Sequence, residues 1–198
     1  MRKTKVLTTV IFIVSFFITI TSIAATKSDV EWLTDITLTV PANKDYIRYL
    51  GLKGEPGTTF KLGDIDADIL VIELFSMYCP HCQKAAPTVN ELYKKMEQMT
   101  RPDLKLVIIG IGASNTSLEV DTFRQGFDIA FPLFPDPDLH IYHALKGTGT
   151  PTFIGIKKDG DRSVIFSRQT GRFRDHSEFL DNLLNRSGLK AKEVKHDR

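Results

Sequence analysis

Ile69-Leu70-Val71-Ile72-Glu73-Leu74-Phe75-Ser76-Met77-Tyr78-Cys79-Pro80-His81-Cys82 is the stretch that decides the fold. Its first seven residues form an apolar run broken only by Glu73, which predicts a strand covered on both faces. Gln83 to Met96 follows and reads as a helix. Cys79 and Cys82 are the only two cysteines in the chain, and they stand where strand gives way to helix. A helix start offers unpaired N–H groups and a partial positive charge. Both stabilise a thiolate, the attacking species in disulfide exchange. A thiol pair in this place predicts redox chemistry.

Other uses of the pair fit less well. A structural bridge across two residues closes a very small loop and removes little unfolded-state entropy. A zinc knuckle needs four ligands, and histidines such as His140 and His143 would have to complete it. Haem attachment of the c type needs His directly after the second cysteine, where Gln83 stands. Between the cysteines, His81 can carry a positive charge beside Cys79, and such a charge lowers a thiol pKa. A stabilised thiolate stabilises the reduced form and makes an oxidising couple. Cys79, at the helix start, is expected to be the exposed nucleophile. Cys82, a turn inside, is expected to be the buried resolving thiol. Glu73 is the one ionisable residue of its strand, and burial should raise its pKa.

Val71 to Cys82 resembles the active-site segment of the thioredoxin superfamily. Cys79-Pro80-His81-Cys82 is similar to the motif of DsbA-type periplasmic oxidases. Pro87 resembles the kinking proline of thioredoxin helices, and Gly147-Thr148-Gly149-Thr150-Pro151-Thr152-Phe153 resembles the loop that carries the family's cis-proline. The stretch between Cys82 and Pro151 is too short for the large helical insertion of the DsbA family, yet longer than a minimal thioredoxin needs. It supplies a strand over Leu104–Gly112, a helix over Ser117–Phe127 and an extended piece over Phe131–Phe134. This layout resembles the TlpA/ResA branch.

The resemblance covers roughly residues 35–187. It implies an α/β thioredoxin fold with an N-terminal β-hairpin and a central βα insertion, its mixed sheet flanked by helices. It implies that Cys79 and Cys82 cycle between dithiol and disulfide, with Pro80 and His81 tuning the couple. Glu73 would pass protons to and from Cys82, and Thr150 and Pro151 would hold an extended substrate. Partners would be protein thiols or disulfides and a membrane or periplasmic redox partner, with no cofactor and no metal. The motif favours an oxidase, whereas the layout favours a reductant of the kind used in cytochrome c maturation. A non-enzymatic thiol metal carrier or chaperone is the reading from another class, and Met77 is the only methionine close enough to support it.

Residues 1–24 read as a signal peptide. Arg2, Lys3 and Lys5 precede the apolar Val6–Ile20, and Ser22-Ile23-Ala24 offers small residues for cleavage. An uncleaved anchor is the rival reading, because Val6–Ile23 approaches the length of a bilayer span. Removal of residues 1–24 takes the net charge from +2 to −1 through loss of those three cations. A near-neutral chain argues against a general nucleic-acid binder. An extracytoplasmic, periplasmic location suits a working cysteine pair. Residues 25–187 are expected to form one thioredoxin-like domain, with a charged, disordered tail over 188–198.

Elsewhere the expectations are local. Lys27–Leu38 reads as an irregular lead-in, with Trp32 packing on the domain. Tyr46–Leu50 and Thr58–Leu62 read as the two arms of the N-terminal hairpin around Gly51–Gly57. Asp138–Leu145 reads as a short helix between Pro137 and Gly147. Phe153–Ile156 and Ser163–Ser167 flank a turn at Lys158–Asp161. Asp175 and Glu178 have capping-box spacing at the start of a last helix that runs to Arg186.

Overall fold

The computed structural model describes residues 31–160 and 162–189. The expected signal peptide and the tail from 190 onward lie outside the described residues. So do residues 27–30 of the lead-in and Asp161 of the expected turn.

The strand that carries Glu73 forms as expected, Ile69–Phe75 (β4), with all seven residues buried. It lies at the centre of a six-stranded mixed sheet. Leu106–Ala113 (β5) pairs with it in parallel, Val71 against Ile108 and Glu73 against Gly110. Leu133–Asp136 (β6) extends the parallel side. Thr152–Asp159 (β7) pairs antiparallel on the other flank, Glu73 against Phe153. Arg162–Thr170 (β8) follows β7 as a hairpin. Glu31–Trp32 (β1) completes the edge, antiparallel to β8. Part of the expected irregular lead-in is therefore paired strand. Trp32 does pack on the domain, with the Arg162 guanidinium 3.6 Å from its ring centroid.

Successive strand side chains face opposite sides of a sheet, and β4 follows that rule. Ile69, Val71 and Phe75 enter a core under three helices: Pro80–Met99 (α2), Ser117–Gly126 (α3) and His176–Ser187 (α5). Leu70, Ile72 and Leu74 enter a second core on the opposite face. Glu73 shares the parity of Val71 and Phe75, so it lies on the face covered by α2. Gly110, opposite Glu73, leaves no room for a side chain unless Leu133 shifts. A Cβ there would lie 2.4 Å from Leu133 Cδ2 and 3.1 Å from the Phe75 ring.

The N-terminal hairpin needs correction. Thr59–Lys61 (β3) is its second arm, but its partner is Thr37–Thr39 (β2), paired with Leu38 against Phe60. The expected first arm is instead a helix, Lys44–Leu50 (α1). The Asn43 side chain accepts from the Asp45 N–H at 2.8 Å. At the other end Gly51 has φ 68°, its N–H donates to the Arg48 carbonyl, and the Leu52 N–H donates to the Ile47 carbonyl. These are the two hydrogen bonds of a Schellman ending. Tyr49 on α1 then serves the sheet. Its hydroxyl accepts from the Ile108 N–H at 2.8 Å, on the part of β5 that β6 does not reach.

The short helix is His140–Ala144 (α4), starting two residues later than expected. Pro137 does not open it. The buried Asp136 carboxylate accepts from the N–H groups of Ile141 and Tyr142 at 3.1 and 2.7 Å. The left-handed residue past its end is Lys146, φ 51°, rather than Gly147. Asp175 caps α5 as expected, accepting from Ser177 and Glu178 N–H at 2.7 and 3.0 Å. Among the described residues no helix is long and apolar enough to cross a membrane.

Candidate active site

β4 ends at Phe75 and the chain turns through Ser76-Met77-Tyr78, where the Cys79 N–H donates to the Ser76 carbonyl at 3.0 Å. Cys79 is the N-cap of α2 and Pro80 its first residue. That placement suits proline, which has no N–H to lose at a helix start. The Cys79 carbonyl accepts the first helical bond, from the Gln83 N–H at 3.1 Å. Pro87 sits inside α2 without ending it.

Two side chains fix this turn. Asn115, fully buried between β5 and α3, accepts from the Met77 N–H through Oδ1 at 2.8 Å. Gln83 Nε2 donates to the Met77 carbonyl at 2.8 Å. Tyr78, exposed beside Cys79, donates its hydroxyl to Glu119 of α3. No sequence motif marks any of these roles. Asn115 is 38 positions from Met77, and its only local signal is an Asn just before a helix N-cap.

Cys79 is half-buried and Cys82 buried, and both are free thiols. Cys79 Sγ lies 3.2 Å from the Thr150 carbonyl oxygen. The Thr150–Pro151 peptide is cis. Pro151 is tied in turn to the far end of β8, because the Gly171 N–H donates to its carbonyl at 2.8 Å. The structure thus brings together Cys79, Thr150 and Pro151 from distant parts of the chain.

The two thiols are driven apart in acidity. Burial pushes Cys79 up, but hydrogen bonds from the Thr150 side chain, from the Cys82 backbone and thiol and from the His81 backbone outweigh it, and its pKa is lowered. Cys82 is raised strongly, first by burial. The Ser76 backbone opposes this in part, and the charge of Glu73 and the Cys79 thiol add to it. Glu73 itself is pushed up to about 8 by burial. Its Oε1 has no hydrogen-bond partner among the described residues. At neutral pH the Glu73 carboxyl is therefore mostly protonated with a minor ionised fraction, and Cys82 lies within reach of its field.

His81 is exposed, and what reaches Cys79 from it is the main-chain N–H. Among the described residues no group of three or more His, Cys, Asp or Glu could hold a metal ion. His140 and His143 lie on α4, within and after its first turn, not at the cysteine pair.

Residues 66–162 match the family described as Thioredoxin-like. The chain is 28% identical over 104 residues to the thiol-disulfide oxidoreductase ResA of Bacillus cereus, covering 52% of this chain and 57% of that protein. It is 24% identical over 124 residues to ResA of Halalkalibacterium halodurans, covering 58% and 68%. The chain thus spans little more than half of the first of these relatives. Among solved structures it is similar to a secreted thiol-disulfide isomerase from Corynebacterium glutamicum, with a TM-score of 0.58 and 17% identity over 82% of this chain and 89% of that one. StoA from Bacillus subtilis gives a TM-score of 0.54 at 12% identity, over 76% and 98%. At these identities the structures speak for the fold alone. Fold, the family match over residues 66–162 and the cysteine pair agree, and the chain has a thioredoxin-like fold.

Proposed function

We propose that this protein is a thiol–disulfide oxidoreductase that acts on protein substrates through Cys79 and Cys82. The observation that carries the reading is the opposed acidity of the two thiols, one lowered at a helix start and one raised beside a buried acid. The lowered pKa favours Cys79 as the attacking thiolate, and the raised one keeps Cys82 a thiol until a base takes its proton.

In the reducing direction the Cys79 thiolate attacks one sulfur of a substrate disulfide. The substrate S–S bond breaks, its second sulfur leaves as a thiolate and takes a proton, and a mixed disulfide joins Cys79 to the substrate. Cys82 then gives its proton to ionised Glu73 and attacks the Cys79 sulfur. The first substrate sulfur leaves as a thiolate and is protonated in turn. The substrate has gained two electrons and two protons, and Cys79–Cys82 is a disulfide. A dithiol donor would restore it. The reverse sequence oxidises a substrate dithiol. The Thr150 backbone, beside Cys79 at the head of β7, suits an extended substrate that pairs as an added strand.

Direction is set by the potential. The lowered Cys79 pKa favours an oxidising couple. The exposed His81 imidazole and the likeness to ResA favour the second reading, a reductant of the cytochrome c maturation type. Equilibration with glutathione decides between them. A value between about −270 mV, the thioredoxin benchmark, and about −120 mV, that of DsbA, supports oxidation, and a value at or below the first supports reduction. The activity itself is tested by mixing the reduced protein with a peptide disulfide. One disulfide reduced per molecule supports the proposal, and none removes it.

We further propose that the protein works outside the cytoplasm after cleavage near Ala25. The succession of basic, apolar and small residues in 1–24 supports this, and the similar Corynebacterium protein is described as secreted. Intact mass of envelope protein tests it. The full-length mass in the membrane fraction would point to an uncleaved anchor.

A further inference from the structure

The turn after β8 brings charged residues beside the cis-proline loop. Gly171 is held to the cis-proline loop through Pro151, and Thr170 Oγ1 lies 3.1 Å from Thr152 Oγ1 and 3.2 Å from Thr148 Oγ1. Arg172-Phe173-Arg174 follows at once. Phe173 is anchored in the core, stacked on Phe179 at 4.3 Å and edge-on to Phe153 at 4.8 Å. This pins the backbone of the two arginines while both remain exposed. Together with Thr88 of α2 they line an open recess of about 460 Å³. Lys84, one helical turn before Thr88 and two residues after Cys82, is also exposed.

Among the described residues none of Lys84, Arg172 and Arg174 makes an ion pair. Three carboxylates lie nearby in the chain, Glu91, Asp175 and the exposed Glu178 one turn after Arg174. Asp175 caps α5, and Glu91 pairs with Lys94. The result is a basic rim that makes no ion pair among the described residues, beside the place where a substrate strand would lie. Arginine is suited to it, because its planar fork can hold a carboxylate by two parallel hydrogen bonds.

We infer that the protein selects substrates with acidic residues near the reacting cysteine, a carboxylate of the substrate docking between Arg172 and Arg174. This rests on the oxidoreductase reading above. A strand advances about 7 Å every two residues, so an Asp or Glu within a few positions of the substrate cysteine can reach the recess. An anionic membrane surface is the less suitable occupant. Surfaces of that kind are recognised by clusters of roughly four to eight cations, and the rim offers three in a concave setting.

The test uses three peptide disulfides of equal length whose flanks are acidic, neutral or basic, with neutral hydroxyethyl disulfide alongside. The protein is compared with its Arg172→Glu/Arg174→Glu and Arg172→Lys/Arg174→Lys variants. Wild type should favour the acidic over the basic peptide by about three- to ten-fold in kcat/KM, as expected for partly exposed charge pairs, and the preference should shrink with salt. Charge reversal should invert the ratio and the Lys variant should keep its sign. A purely structural role would lower all three rates together and leave the ratio in place, which would overturn the inference. So would equal rates for the three peptides in wild type, with the oxidoreductase reading intact. Sedimentation with anionic vesicles that charge reversal abolishes, without any peptide preference, would assign the rim to a membrane and overturn it too. No exchange with any disulfide, hydroxyethyl disulfide included, would remove the proposed function and the inference with it.

Discussion

Cys79 Sγ and the Thr150 carbonyl oxygen lie 3.2 Å apart, although 71 positions separate the two residues in the chain. As a thiol, Cys79 donates to that oxygen. As a thiolate it is served by the Thr150 side chain and by the backbone of Cys82 and His81. The contact therefore ties the protonation of Cys79 to the loop on which a substrate would rest.

His81→Ala should leave most of the Cys79 shift in place, because the main-chain N–H remains when the imidazole is gone. Thiolate absorbance against pH in a Cys82→Ser background measures it. A midpoint that climbs to the free-thiol value of about 8.5 would return the role to the imidazole charge. The lowered pKa has a linked effect on the reduced protein. Its stabilisation is fully present above the unfolded thiol pKa and is lost as pH falls through the folded one.

Glu73→Gln should change both stability and resolution. The unfolded chain ionises Glu73 near 4.5 and the folded chain near 8. Between these values the folded state holds the extra proton, so wild-type stability falls as pH rises through that window and levels off above it. Gln removes that slope. At pH 7 the variant should be more stable by roughly 3 kcal/mol, and at pH 4 about equal. Denaturant unfolding from pH 4 to 9 checks this, and an unchanged slope would show that Glu73 is not the titrating group. Resolution of the mixed disulfide should slow near neutral pH, since Cys82 has lost its proton acceptor.

Asn115→Ala should cost about 1–3 kcal/mol, the usual penalty for leaving a shielded N–H without its partner. The Met77 turn would loosen, and the Cys79 pKa should rise towards the free value. Loss of stability with an unmoved Cys79 pKa would make Asn115 a packing residue only.

Gly51→Ala should destabilise by more than about 1 kcal/mol, because φ is 68° and the new Cβ would lie 2.5 Å from Asp66 Cβ. Disulfide exchange should survive in the folded fraction. A neutral change in unfolding would contradict the helical ending at that position.

These four positions also mark what is legible in the residues and what is not. β4 and the start of α2 are legible because an apolar run and a Cys-Pro helix opening are local signals. The same holds for the β7–β8 hairpin and the Asp175 cap. α1 reads as strand because Tyr46, Ile47 and Tyr49 favour strands, yet the capping pair Asn43 and Gly51 outweighs that preference. α4 starts late because Asp136, not Pro137, supplies its first acceptors. Adjacency in sequence suggests that the His81 charge acts on Cys79, whereas the helix start exposes the ring and leaves the N–H to act. Asn115 is not legible in the chain alone, because its partner is set by the return of β5 alongside β4.

Trapping tests the central claim most directly. Mixed with a peptide disulfide, Cys82→Ser should accumulate a one-to-one mixed disulfide, and intact and peptide-level mass should place it on Cys79. Cys79→Ser should accumulate none, because the buried Cys82 thiol holds its proton. Equal trapping by both variants, or a bond located on Cys82, would contradict the assignment of nucleophile and resolving thiol.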